Sequence, residues 1–519
     1  MNRLLLAVFS LLVMLATPNA RATSGDDAWV LRSPMAIEWE RHSLLPFDRT
    51  PFHPTVLAST AAAKPPVTVL GYVTHWTLPN TTFHLDQMTV LAYFSAPMNP
   101  DGTLGETYHW NTSTMDELIT QAHENGVKVV LTITNFSPAG ISSILNENKA
   151  TAIASIVDHV VAGGGDGANI DFEGLDKVDK VAFVTFVQDL KAALDDALGE
   201  SHLTLATPAI DWPGAFDYDE LAKACDGLVI MGYAYYWQGG PPGPNSPLVS
   251  SDLWGNYSLT WTVNDYLVWG TKDIDPSDTA ALAERKKRFI LALPLYGQDW
   301  PTTDSTLPGT STSDATSPTI HSCLTDGADT VGNTVGDWQW DDHSQTPYKA
   351  YRAGDGTGPW HQRFCENSES LYLKYRLAAD TGIGGVGFWA LGYDRTSTEP
   401  WDQLALAFPP VEPMPDTAET VEAAEVAEAL PDMAEDIPPL DVVETSPEVA
   451  TPVDVSEAGP DMGSVDLVPV DITTPAQTES GAAGGGGGCS AGMASSPWGL
   501  LCLAGLWCLL VVARRRRGF

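Results

Sequence analysis

Basic residues are scarce in this chain of 519 residues, where 27 Lys and Arg stand against 66 Asp and Glu and the formal net charge is −39. Part of the imbalance sits in the tract 409–480, with 18 acids and no base, yet residues 23–408 still carry 48 acids and 21 bases. Phosphate backbones are bound by clustered Lys and Arg, so this surface excludes nucleic acid as a partner and suits a neutral ligand. Cysteine is also sparse. Of six, Cys489, Cys502 and Cys508 lie in the C-terminal tail, which leaves Cys225, Cys323 and Cys365 in the body. Three is an odd number and excludes a disulfide scaffold. Cys225 precedes an apolar strand pattern and reads as a buried thiol, whereas Cys323 and Cys365 share one polar insertion and can pair. A nucleophilic cysteine needs a positive, partly exposed setting, which none of the three has. Histidines are scattered without a pair at metal-ligand spacing, so neither metal nor cofactor is expected.

Long apolar runs are missing as well, and the two that come nearest are terminal. Arg3, the largely apolar run 4–15 and the small-residue site Ala20-Arg21-Ala22 read as a secretory signal peptide over residues 1–22; a membrane anchor would need a longer run. Near the other end, a glycine run 484–488 and Cys489 precede the apolar stretch 498–513 and four arginines, 514–517. Its sixteen residues, at ~1.5 Å each, reach roughly 24 Å and fall short of a ~30 Å hydrocarbon core. The arginines would stay on the cytoplasmic side, so membrane contact is expected only through these terminal segments. The layout of residues 481–519 resembles the MYXO-CTERM type of sorting tail, which implies cleavage by a sorting protease near Cys489 and attachment at the cell surface; a simple tail anchor is the other reading. The tract 409–480 has twelve prolines, no aromatic residue and only negative charge. Such a composition cannot bury enough apolar surface to offset the entropy of ordering, and predicts a disordered stalk.

With 44% hydrophobic residues, the body can support a sizeable core. Apolar, β-branched runs bounded by turn residues occur at 67–74, 89–95, 128–134, 167–173, 203–209, 227–235, 288–297 and 385–393. Between several of them, at 115–125, 152–162, 177–198 and 368–381, apolar residues recur at helical spacing. Eight strand patterns alternating with helices predict an α/β fold, a (β/α)8 barrel over residues 66–408. The stretch 298–367 is polar, lacks a sustained period and reads as an insertion between strands seven and eight.

In such a barrel, chemistry sits at the C-terminal ends of the strands. The fourth reads Asp166-Gly167-Ala168-Asn169-Ile170-Asp171-Phe172-Glu173, which puts Asn169, Asp171 and Glu173 on one face. Inward polar side chains are costly unless hydrogen-bonded and used. Two carboxyls on neighbouring inward positions, Cα atoms roughly 6.6 Å apart, point the same way and cannot easily flank a scissile bond from both sides, as paired glycosidase carboxyls do. A substrate N-acetyl group can supply the missing nucleophile: Glu173 would protonate the leaving oxygen while Asp171 orients the acetamido N–H and stabilises its developing charge.

The pattern Asp-Gly-x-x-x-Asp-x-Glu at this position resembles glycoside hydrolase family 18, the chitinase-like enzymes, over most of residues 66–408. Met231-Gly232-Tyr233 is similar to the family's sixth-strand Met-x-Tyr element, whose tyrosine contacts the reacting acetamido group. The segment 387–393, Gly-Phe-Trp-Ala-Leu-Gly-Tyr, resembles the eighth-strand element, whose tryptophan, here Trp389, floors the reacting sugar. The resemblance implies a secreted, surface-held hydrolase of β-1,4-linked N-acetylglucosamine polymers. A peptidoglycan-directed N-acetylglucosaminidase and a catalytically silent glycan-binding barrel are the alternatives, and the retained Glu173 disfavours the last. Two positions depart from the family pattern: Asn169, often Asp, and Ala234, often Asp. Candidate catalytic residues are therefore Glu173, Asp171 and Tyr233; candidate substrate-binding residues are Asn169, Met231, Trp389, Tyr72 and Trp237. Trp76, Phe94, Trp212 and Trp300 also fall near strand ends, where aromatic planes can stack on sugar rings.

Overall fold

The computed structural model describes residues 33–409, apart from 58–63, 328–331, 333–334 and 355. The expected signal peptide and sorting tail, and the stalk from residue 410 onward, lie outside the described residues.

Eight strands form a closed parallel barrel: β1 Thr68–Thr74, β2 Val90–Pro97, β3 Lys128–Asn135, β4 Gly167–Phe172, β5 His202–Pro208, β6 Gly227–Met231, β7 Phe289–Pro294 and β8 Gly385–Trp389. Each pairs with the next, and β8 closes onto β1, so that Gly387 stands opposite Leu70 on one side and Ala292 on the other. All eight sequence-predicted strands are present. Five of them, β4 to β8, end one to four residues before the sequence pattern does, because beyond the rim the run continues into loops.

Burial on both faces explains why the strands read as nearly continuous apolar runs. Along β4, Ala168, Ile170 and Phe172 belong to the layer between barrel and helices. Phe172 stacks against Phe186 of the helix Lys180–Leu198, with ring centroids 5.8 Å apart, and burying such a side chain stabilises by ~1.5–3 kcal/mol. The alternate residues Asn169 and Asp171 are fully buried inside the barrel. Before β8, the helix Ser368–Thr381 starts at a reciprocal cap between Asn367 and Ser370 and stops at Gly382, whose φ of 70° suits a residue without Cβ.

The insertion after β7 is more regular than its sequence suggests. Strands Gln298–Thr302, Trp360–Phe364, Thr346–Arg352 and Trp338–Asp341 form an antiparallel sheet in that order. They are only four to seven residues long, too brief to impose a period on a window dominated by turns. Trp300 and Phe364 pack with Trp254 in a core of their own, and Cys323 is joined to Cys365, Cα to Cα 6.4 Å, in a second small cluster with Trp338. The carboxylate of Asp299, 4% exposed, is compensated by Arg363 at 2.7 Å and His361 at 2.9 Å and accepts from the Tyr351 hydroxyl. Cys225 is a buried thiol that donates to the Leu221 carbonyl.

Ahead of the barrel, a helix covers Pro34–Ser43, with the Ser33 side chain accepting from the Ala36 N–H and proline in its first turn. The chain then runs to Thr55–Val56, which pairs in parallel with Thr82–Phe83.

Candidate active site

The inward face of β4 is built as a polar ladder. Lowest is Asn169, whose amide donates to Thr204 Oγ1 at 2.8 Å and whose carbonyl accepts from the Tyr72 hydroxyl at 3.2 Å. Both side-chain groups of a fully buried amide are thus used, and Tyr72 is fixed beside the carboxyls. Asp171 comes next. It is fully buried, and among the described residues no donor outside its pairing with Glu173 reaches either of its oxygens. Burial, followed by the charge of Glu173, pushes its carboxyl well above the usual range. Glu173 lies one residue past the strand, held to the ladder by its N–H on the Asn135 carbonyl at 3.0 Å. Its carboxyl is raised to about 7 chiefly by burial, with hydrogen bonding to Ser33 and Asp171 pulling the other way. Two neighbouring carboxyls with raised affinity for protons form a coupled pair able to hold and pass one.

Tyr233 and Trp389 complete the enclosure from across the barrel. Tyr233 follows β6 and is 3% exposed, and its buried hydroxyl has no hydrogen-bond partner among the described residues. Its ring meets Tyr296 edge-on, centroids 6.1 Å apart. Trp389, at the end of β8, is fully buried between Tyr72, 5.6 Å away, and Phe94, which meets it edge-on at 4.8 Å. Met231 lies in the same cluster. Trp237 is half-buried at the opening, beside Tyr296, Gln298 and Tyr393. Glycines shape its loop: a Cβ on Gly239 would stand 2.3 Å from the Trp237 ring, and one on Gly243 2.3 Å from the Tyr236 ring. All eight candidate residues therefore come together at one end of the barrel, in contact with one another or with the same opening.

The other aromatic candidates divide. Phe94 and Trp76 pack near the cluster around Trp389. Trp300 is fully buried inside the insertion, its indole N–H on the Gly240 carbonyl at 3.1 Å, and is unavailable to a ligand. Trp212 is 61% exposed against Tyr257, outside that cluster. At Ala234 the backbone is left-handed, φ 60°, and its N–H is held by Asn245 Oδ1 at 3.0 Å. Buried Asn245 in turn donates to the Tyr296 carbonyl at 3.3 Å, which ties the two loops together.

Four residues at the site were not read from sequence. Ser33, Met35 and Glu38 arrive from the N-terminal helix, and Tyr296 from the loop after β7. Ser33-Pro34 is a helix-start signal, but no local pattern says where such a helix docks.

Residues 68–394 match the description Glycosyl hydrolases family 18, and the chain belongs to that family. Among curated relatives it is 26% identical over 317 residues to the cortical fragment-lytic enzyme of Bacillus anthracis, which covers 59% of this chain and 65% of that protein. To the di-N-acetylchitobiase of Mus musculus it is 25% identical over 294 residues, covering 53% and 72%. The chain thus spans somewhat less than two thirds of the cortical fragment-lytic enzyme's length. Among solved structures, the Bacillus cereus spore cortex-lytic enzyme superposes with a TM-score of 0.52 at 22% identity, over 68% of this chain and 76% of that one. A family 18 N-acetylglucosaminidase from Paenibacillus barengoltzii does so with a TM-score of 0.54 at 18% identity, over 66% and 99%. These two superpositions concern the fold.

Proposed function

We propose that this family 18 barrel hydrolyses β-1,4-linked N-acetylglucosamine polymers of the chitin type, with retention and with the substrate's own acetamido group as nucleophile. The observation that carries the reading is the arrangement around Asp171. Among the described residues its two oxygens and the hydroxyl of Tyr233 are buried polar atoms with no partner outside the Asp171–Glu173 pair, and Tyr233 and Trp389 belong to one cluster. Unpartnered buried groups are costly, and an acetamido group would satisfy them, its N–H on Asp171 and its carbonyl on Tyr233. The reacting sugar would stack on Trp389.

The steps follow from position. Glu173, at the rim and with its proton retained to about pH 7, donates that proton to the glycosidic oxygen as the bond breaks. The acetamido oxygen attacks the anomeric carbon from the opposite face and forms a cyclic oxazolinium ion. The pair shares one proton, and with that proton on Glu173 the Asp171 carboxyl is left ionised, desolvated and close, where it stabilises the positive charge. Glu173, now ionised, takes a proton from water, which opens the ring and restores the configuration. Asn169 holds Tyr72 in place by hydrogen bonding.

A peptidoglycan-directed N-acetylglucosaminidase is the second reading, favoured by the likeness to the cortical fragment-lytic enzyme. Digestion of chitooligosaccharides and of purified peptidoglycan in parallel, with products read by mass, tests both: release of N-acetylglucosamine oligomers from the first supports the chitin-type reading, and cleavage confined to the second supports the alternative. Export by residues 1–22 and attachment through the tail 481–519 complete the proposal and place the glycan and the sorting protease outside the cytoplasm.

A further inference from the structure

We propose that the helix Pro34–Ser43 is an inhibitor carried by the chain itself, seated where the reacting sugar must bind, and that it has to leave before a glycan is cut. The inference rests on the glycosidase reading above and concerns the regulation of that same site.

Ser33 and Met35 carry the argument. Ser33 Oγ donates to Glu173 Oε1 at 2.6 Å and accepts from the Ala36 N–H at 3.1 Å, so one hydroxyl caps the helix and occupies the acid. That distance is the one a general acid needs to its leaving-group oxygen; a serine hydroxyl stands where the glycosidic oxygen should be. Two residues on, Met35 is fully buried in the cluster of Tyr72, Tyr233, Tyr296 and Trp389. With Met35 in that cluster, and Pro34, Ile37 and Glu38 lining the same cavity as Trp389, the helix takes the space a sugar on Trp389 would need. What remains between helix and cleft wall is a cavity of about 30 Å³, against the ~300–1,000 Å³ of a small-molecule site.

The rest of the helix is held more loosely than a core element. Met35 is its only fully buried residue. The Trp39 indole nitrogen is buried with no hydrogen-bond partner among the described residues. Among the described residues outside the helix, Glu38 receives only a long bond from the Tyr393 hydroxyl, 3.4 Å, its shorter bond at 2.6 Å coming from Arg41 of the same helix, and His42 stacks on the half-buried ring of Trp76 at 4.3 Å. Beyond the helix, Leu44 and Leu45 are 80% and 56% exposed. None of the eight barrel strands includes the segment, so it can depart without opening the sheet.

The test uses the full chain in three forms: unaltered, Met35→Asp, which sets a charge in the aromatic cluster, and Ser33→Ala, which removes the hydroxyl from Glu173. N-acetylglucosamine-thiazoline binding is measured by calorimetry, hydrogen exchange is followed over residues 34–43, and kcat and KM are measured on a chitooligosaccharide. Met35→Asp should free the helix amides to exchange and raise kcat/KM about tenfold or more, mainly through a lower KM, as expected when an occupant present most of the time is removed. Ser33→Ala should move both readouts the same way by less. In the unaltered protein, saturating thiazoline should itself speed exchange over 34–43, since both cannot occupy the floor. Unchanged or lower kcat/KM once the amides exchange freely would make the helix a wall of the cleft or a bystander and overturn the proposal. So would tight thiazoline binding that leaves exchange unaltered. If both variants release the helix and none of the three forms binds thiazoline or cuts glycan, the glycosidase reading itself fails, an outcome separate from the first two.

Discussion

Ser33 Oγ and Glu173 Oε1 stand 2.6 Å apart although 140 positions separate them in the chain. The bond places the N-terminus of a helix against the carboxyl best positioned to act as an acid, and it favours the ionised form of that carboxyl. Burial works in the opposite direction and prevails, since the carboxyl is still raised to about 7. The chemistry of the site and its occupancy by the chain are therefore coupled through one side chain.

Replacing the acid isolates its contribution. Glu173→Gln is nearly isosteric and should leave the unfolding midpoint close to that of the unaltered protein, while turnover of an unactivated oligosaccharide falls by roughly 10²- to 10⁴-fold. Near-normal turnover would remove Glu173 from the proton-donor role.

Substrate assistance predicts dependence on the acetyl group. Oligosaccharides lacking the N-acetyl at the cleavage position should resist hydrolysis, and a thiazoline analogue of the oxazolinium ion should inhibit competitively. Efficient cleavage of fully deacetylated oligomer, followed by product mass, would sink the mechanism.

The raised carboxyl of Glu173 also sets a pH dependence. A general acid must be protonated, so kcat/KM should fall as pH rises through about 7. Stability should move the same way. The folded-state value lies above the ordinary 4.5, so the native state gains from protonation, and that contribution is full below about 4.5 and lost as pH approaches 7. Unfolding midpoints across this window should decline less in Glu173→Gln than in the unaltered chain; identical declines would assign the pH dependence elsewhere.

The bond between Cys323 and Cys365, 42 positions apart, should stabilise the insertion by roughly 3 to 4 kcal/mol in the chain-entropy account, less any strain. Mass spectrometry of unreduced peptides should find the two linked, and reduction should lower the insertion's resistance to proteolysis without releasing the barrel. Alkylation of both thiols in the absence of reductant is the contrary result.

For the C-terminal tail, the apolar stretch 498–513 is short for a stable span, and cleavage near Cys489 is the expected fate. Terminal-peptide mass spectrometry of envelope-bound protein should find residues 514–519 missing, and Cys489→Ala should shed the protein or leave it unprocessed. An intact terminus on most of the bound protein would make the tail an anchor.

Much of this protein is determined locally and was legible in its sequence. Strands such as Phe289–Pro294 and Gly385–Trp389 are apolar on both faces because each is covered on both, so their runs stand out without knowledge of their partners. The alternation Asn169, Ile170, Asp171, Phe172 declares its inward face by the two-residue period alone. Tyr233 and Trp389 were placed beside Asp171 by the resemblance of their strand-end elements to family 18, which the gathering of strand ends at one rim accommodates. The insertion's sheet was not legible, because its strands are short and their pairing, Gln298 against Phe364 for example, spans a long loop. Core packing is the ordinary role for a rim aromatic such as Trp300, but that it packs in a separate core with Trp254 and Phe364 was not legible. Least legible was the seat of Ser33 and Met35. Helix propensity and a capping serine are local properties, whereas docking against Glu173 and Trp389 depends on a cavity whose walls come from strands scattered over some 300 residues, and only the closed barrel brings those walls together.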